Sequence, residues 1–108
     1  MPEFFVGDVV LAPLRFGFTG GVKTRPAVVI ESCGNKIRLC PVTSRMPKDT
    51  APVILELDDF EKGGLSMFDE SYILLYDIVE LSKREIIGKK GRLTKEKTNF
   101  IVSAAAKR

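Results

Sequence analysis

Histidine is absent from this chain. The usual imidazole-bearing zinc sites and the Ser-His and Cys-His nucleophile systems are therefore excluded, and with them most hydrolase mechanisms. Cysteine is scarce: Cys33 and Cys40 are the only two. In a chain with no sign of secretion, two thiols read as free and reduced rather than as a disulfide framework. Cys40 falls inside an apolar strand, where a thiol acts as small core filling. No long apolar run and no basic-then-apolar leader is found. Neither a membrane span nor a secretory signal is expected, and cytoplasmic residence is the default expectation. Internal repeats and low-complexity segments are lacking. The glycines match no phosphate-loop spacing, so a nucleotide cradle is not expected either.

What remains is an ordinary globular composition, 44% hydrophobic and 29% charged over 108 residues, which suits one domain around a single modest core. The net charge of +3 says less than its distribution. Residues 56–70 set six acids (Glu56, Asp58, Asp59, Glu61, Asp69, Glu70) against Lys62, whereas residues 77–108 set nine Lys or Arg against four acids. A basic sector of this kind attracts polyanions, although a helix and hairpin with solvated lysines give the same pattern.

Apolar runs bounded by turn residues predict a series of short strands. Gly7-Asp8 precedes a strand over 9–14, and a glycine-punctuated loop follows over 15–24. Residues 26–32 form a nearly continuous apolar run, as expected of a strand buried on both faces. Cys33-Gly34-Asn35-Lys36 is a hairpin turn leading to a third strand over 37–43. Further strands are predicted over 52–57, with Pro52 at its first residue, and over 71–76. The polar stretch 58–70 is a long connection with room for one helical turn. Residues 77–83 are ambiguous, and 85–93 is a strand broken near Gly88. Thr94 is the N-cap of a final helix whose apolar stripe is Phe100, Ile101 and Ala104. This order predicts a mainly β fold, a small antiparallel barrel or half-barrel closed by a C-terminal α-helix.

Two phrases carry chemistry. Lys23-Thr24-Arg25-Pro26 opens the second strand, and Thr43-Ser44-Arg45 closes the third. Pairing across the intervening turn brings both to one end of a sheet. Permanent cations beside hydroxyls suit a phosphodiester, since the guanidinium fork keeps its charge at neutral pH. Arg25 has two readings: a structural one, in which it caps carbonyls or pairs with Glu31, and a functional one over a scissile phosphate. Thr43 is equally able to be a hydroxyl that closes a turn. The loop from Arg15 to Arg25 interleaves Phe16 and Phe18 with bases, a pattern that stacks unpaired bases, though at least one ring is expected in the core. Asp58, Asp59 and Glu61, or Asp69 with Glu70, have the oxygens for Mg²⁺, but acids in such loops are expected to be solvated and no metal is expected.

Several blocks resemble the MazF/PemK family of toxin endoribonucleases. They are Gly7-Asp8-Val9-Val10-Leu11, then Lys23 to Ile30, Pro41-Val42-Thr43-Ser44, Gly64-Leu65, Asp69 to Leu75 and Gly91-Arg92-Leu93, in the family's order. The resemblance implies an SH3-like barrel with a C-terminal helix, a symmetric homodimer, and neutralisation by a cognate antitoxin. It also implies cleavage of single-stranded RNA through the neighbouring 2′-hydroxyl, leaving a cyclic phosphate and a 5′-hydroxyl without metal or other cofactor. Carried over, the family's key Arg falls on Arg25 and its key Thr on Thr43. Arg15, Phe18, Lys23, Ser44 and Arg45 are the expected RNA contacts. After the fifth strand the family carries an acid and then an Arg-Thr pair. Here Tyr76 and Val79-Glu80 stand there instead, which bears on cleavage rate and sequence preference. The alternatives are a non-catalytic RNA- or peptide-binding module of the same fold and a DNA-directed relative.

Overall fold

A computed structural model of the chain describes residues 3–15, 21–44, 53–64, 71–75 and 77–106. Three long strands form its centre: β1 (Asp8–Arg15), β2 (Val22–Cys33) and β3 (Lys36–Thr43). Then come β4 (Val53–Leu55), a 3-10 turn (Leu57–Asp59), β5 (Phe60–Gly63), β6 (Ser71–Ile73), β7 (Val79–Ser82), a second 3-10 turn (Lys83–Glu85) and β8 (Gly88–Leu93). Helix α1 (Lys95–Ala106) ends the described chain. Every strand pairing among the described residues is antiparallel, and the order β4-β6-β3-β2-β1-β8-β5, with β7 also on β3, is that of one curled half-barrel.

The continuous apolar run of β2 has the cause expected of it. Val28 packs into a cluster with Val9, Cys40, Val42, Leu55, Leu93 and Ile101, on the face covered by α1. Its neighbours Ala27 and Val29 belong to a second cluster with Phe4, Val10, Ala12, Leu14, Ile37 and Leu39. Alternation along a strand sends successive side chains to opposite faces, so a strand with cores on both sides has no polar register to spare. Cys40 is fully buried and Cys33 exposed.

Several expectations are corrected. The first loop is shorter than 15–24, because β1 extends to Arg15 and β2 starts at Val22, pairing Leu14 with Lys23 and Pro13 with Thr24. The acidic connection contains a strand, β5, held by β8. Residues 79–82 resolve as a strand through pairing with β3. The turn after β2 is Gly34-Asn35, and only Gly34 takes positive φ. Phe100 is half exposed, so Ile101, with Ala104 and Ala105 beside it, provides the helix's apolar contact. Thr94 caps α1 as expected, its Oγ1 accepting the Lys97 N–H at 3.2 Å. Pro52 lies outside the described residues.

Candidate functional site

The second strand pair fixes where Arg25 and Thr43 stand. Its register runs Val29↔Leu39, Val28↔Cys40 and Ala27↔Pro41. Arg25 and Thr43 each lie two residues past that last rung, so both leave the sheet on the face of Ala27 and Pro41, within about 7 Å of the rung along each strand. Beyond Pro41 the third strand passes to β6, pairing Thr43 with Tyr72, while the Leu74 N–H donates to the Pro41 carbonyl at 2.8 Å. Tyr72 in turn faces Ile54, whose carbonyl accepts from Lys97 Nζ at 2.7 Å. A hydrogen-bonded row therefore backs Thr43 all the way to the helix.

Arg25 is half-buried, with its Nε shut off from solvent, and stands opposite Ala12 of β1. The small methyl across from it leaves the guanidinium room. Thr43 is also half-buried. Lys23, two residues before Arg25 and so on the same face, is exposed, as is Ser44. Arg15 ends β1 opposite Val22. Phe16, Phe18, Arg45, Asp69, Glu70 and Tyr76 lie outside the described residues. Glu31 pairs with Arg38 at 3.4 Å, both exposed. Val79 packs against the Ala27–Leu39 cluster, and Glu80 stands opposite Arg38.

A second polar cluster was not anticipated from the sequence. Asp8 is 1% exposed and accepts from the Phe5 N–H at 2.8 Å and from Arg92 Nε at 2.9 Å, with Lys89 Nζ 3.1 Å away. Burial pushes its pKa up, but those three donors outweigh burial and hold the carboxyl below its ordinary value. The turn Phe5-Val6-Gly7-Asp8 that delivers it is closed by the Asp8 N–H on the Phe5 carbonyl, 2.9 Å. Gly7 has φ 99°, as the third position of a type II turn requires, and a Cβ there would press on Thr98 Oγ1 at 2.5 Å. Lys89 and Arg92 are an odd number of residues apart, which in a regular strand points them to opposite faces. The register shift of β8 against Val9/Val10 absorbs one residue and puts both on Asp8. Glycine at 91 within a lysine-rich strand was the available signal for that bulge.

Among the described residues, no group of three or more Cys, Asp or Glu has the arrangement to hold a metal ion, and no helix is long and apolar enough to cross a membrane.

No curated protein sequence matches the chain. Among solved structures, the Mycobacterium tuberculosis toxin MazF-mt6 superimposes with a TM-score of 0.65 at 12% identity, over 91% of this chain and 90% of that one. An endoribonuclease in complex with its cognate antitoxin, from Mycobacterial species, superimposes with a TM-score of 0.58 at 16% identity, over 98% and 91% of the two chains. At such identities the likeness is one of fold. The family model described as PemK-like, MazF-like toxin of type II toxin-antitoxin system matches residues 6–107; the chain belongs to that family.

Proposed function

We propose that this toxin is a metal-independent endoribonuclease acting on single-stranded RNA, with Arg25 and Thr43 at the reacting centre. One observation supports the reading above all: Arg25 and Thr43 sit two residues beyond the same rung of the β2–β3 ladder, on one face, each half open to solvent. In the reaction the 2′-oxygen attacks the adjacent phosphorus. The O2′–P bond forms, the P–O5′ bond breaks, the 2′ proton leaves and the departing 5′-oxygen takes one up. Negative charge builds on the non-bridging oxygens, where a fixed guanidinium stabilises it most when partly desolvated. Arg25 meets that condition. Thr43 supplies a neutral hydrogen bond to a phosphate oxygen, and Lys23 and Ser44 extend the grip along the backbone. None of these steps needs imidazole, in keeping with a chain that has none.

The test is to map fragment ends after incubating the protein with mixed RNA in chelator. Cyclic phosphate and new 5′-hydroxyl ends are expected, blocked by a 2′-deoxy substitution at the cleaved position. Arg25→Ala should keep the fold and lower the cleavage rate by roughly 10²–10³, the usual cost of removing one charge-stabilising donor. Full activity in that variant removes Arg25 from the mechanism. A second reading, a non-catalytic RNA-binding module, is favoured by Val79: where family members carry Arg, this partly buried side chain packs against the core. Salt-dependent RNA binding without any new ends would select it. Antitoxin binding belongs to the proposal as well, supported by the toxin-antitoxin family and the complexed structural neighbour, and the homodimer is carried over from the family resemblance alone.

A further inference from the structure

The Asp8 cluster holds more than its own charge. One buried carboxylate fixes two cations, so a positive charge is left over at the surface. It also fixes the backbone of Phe5, whose ring is 49% exposed. Arg92 Cζ stands 5.3 Å and Lys89 Nζ 5.5 Å from the centroid of that ring. Arg92 uses its Nε on Asp8, and its side chain is still 37% exposed. Beside it lies a hollow of about 290 Å³, lined by Val6, Glu61, Arg92, Lys95, Thr98 and Asn99. Four of these side chains are hydrogen-bond donors, and one is an acid.

The cluster also shares a sheet face with the candidate site. Lys89 stands opposite Val10, Val10 alternates with Ala12, and Ala12 stands opposite Arg25. Two strand spacings and two residues along the strand separate Lys89 from Arg25, about 12 Å in all. Val10 and Ala12 between them are buried, so an RNA strand joining the two sites passes over the residues that cover this face. We infer that Phe5, Lys89 and Arg92 form a second nucleotide subsite for single-stranded RNA, with one base stacked on the Phe5 ring and an adjoining phosphate held by Arg92 and Lys95 at the hollow. An exposed ring held beside immobilised cations is the arrangement that binds unpaired bases regardless of sequence. Because Asp8 ties the ring's backbone and both cations together, little ordering is left to do on binding. The inference rests on RNA being the substrate.

The test uses Phe5→Ala, which keeps the main-chain N–H that Asp8 accepts, and fluorescence anisotropy with uncleavable 2′-O-methyl oligonucleotides. A short oligonucleotide spans only the Arg25–Thr43 centre, and a longer one reaches the Phe5 ring. The variant should bind the longer probe roughly 5- to 100-fold more weakly and the shorter one as wild type does. Cleavage of a short substrate should not change. Phe100→Ala, another half-exposed ring, is the control and should alter neither. Equal binding of the longer probe by wild type and Phe5→Ala overturns the subsite while leaving the nuclease reading intact. Wild-type protein that binds no RNA overturns both. Poly-glutamate binding that depends on Phe5, with RNA binding indifferent to it, overturns the subsite in favour of an acidic peptide.

Discussion

Asp8 is a buried acid whose worth depends on keeping its charge. Removing a carboxylate from water costs several kcal/mol, and only close donors make it tolerable. Here a main-chain N–H, an Arg and a Lys supply them. Both cationic side chains are more than a third exposed, so water screens the pairs and the net worth lies at the low end for buried charge. The folded-state pKa lies below that of the unfolded chain. The stability Asp8 contributes is therefore fully present above the unfolded value, roughly 3.9, and is lost as pH falls through the folded one. Asp8→Asn should lower stability at neutral pH by about 1–3 kcal/mol and flatten the acid limb. Urea midpoints taken from neutrality down into the acid range check both. A variant that follows wild type at every pH would mean the carboxylate contributes nothing net. Gly7-Asp8 was visible in the sequence as a strand opening, but a buried acid was not, because its partners come from residues 89 and 92. Arg25 and Thr43 were legible for the opposite reason. The turn between two apolar runs brings their strand ends together, but their common face depends on the one-residue register shift between Val29 and Glu31, for which the turn gives no signal.

The elements differ in how much of their cause is local. β1, β2, β3 and the Thr94-capped helix carry it in their own residues: apolar alternation or runs, a two-residue turn, a hydroxyl before the first turn of α1. β5 has no such pattern. Phe60-Glu61-Lys62-Gly63 is a strand because β8 accepts it, Phe60 against Leu93 and Gly63 against Gly91. Pairing so remote in sequence gives no period to read. β7 is similar, since Val79 and Leu81 acquire a buried face only when β3 is beside them. The β5–β8 approach leaves no room for side chains, for a Cβ on Gly91 would run into the Lys62 carbonyl oxygen and one on Gly63 into that of Lys90. Gly91→Ala should thus cost about 1–3 kcal/mol and disturb the bulge that brings Lys89 and Arg92 together. Gly88, in the same strand, has nothing within 4 Å of an added Cβ. Gly88→Ala should be neutral or stabilising by up to about 1 kcal/mol, because it restricts the unfolded chain. The two midpoints compared under one set of conditions isolate the backbone contact, and equal effects would refute it.

For the molecule as a whole, the question is how many chains build one site. Arg25 and Thr43 extend from neighbouring strands of a single subunit, with β6, β4 and α1 of that same subunit behind Thr43. Each proposed reacting centre is therefore complete in one chain, and in the proposed homodimer the partner supplies neither of the two residues. A mixing experiment separates this from a shared centre. Arg25→Ala and Thr43→Ala, unfolded together and refolded in equal amounts, give a population of which half is mixed dimer. With centres in cis, every subunit lacks one of the two residues and no cleavage returns. With centres in trans, one of the two sites in each mixed dimer is intact, and about a quarter of wild-type activity returns. Sedimentation establishes whether the dimer forms, and end-mapping on a labelled single-stranded oligonucleotide gives the activity. Absence of recovery in verified mixed dimers is the expected result. A return to about a quarter would show that the β2–β3 register, although correct, does not bring together the two residues that act on one phosphate.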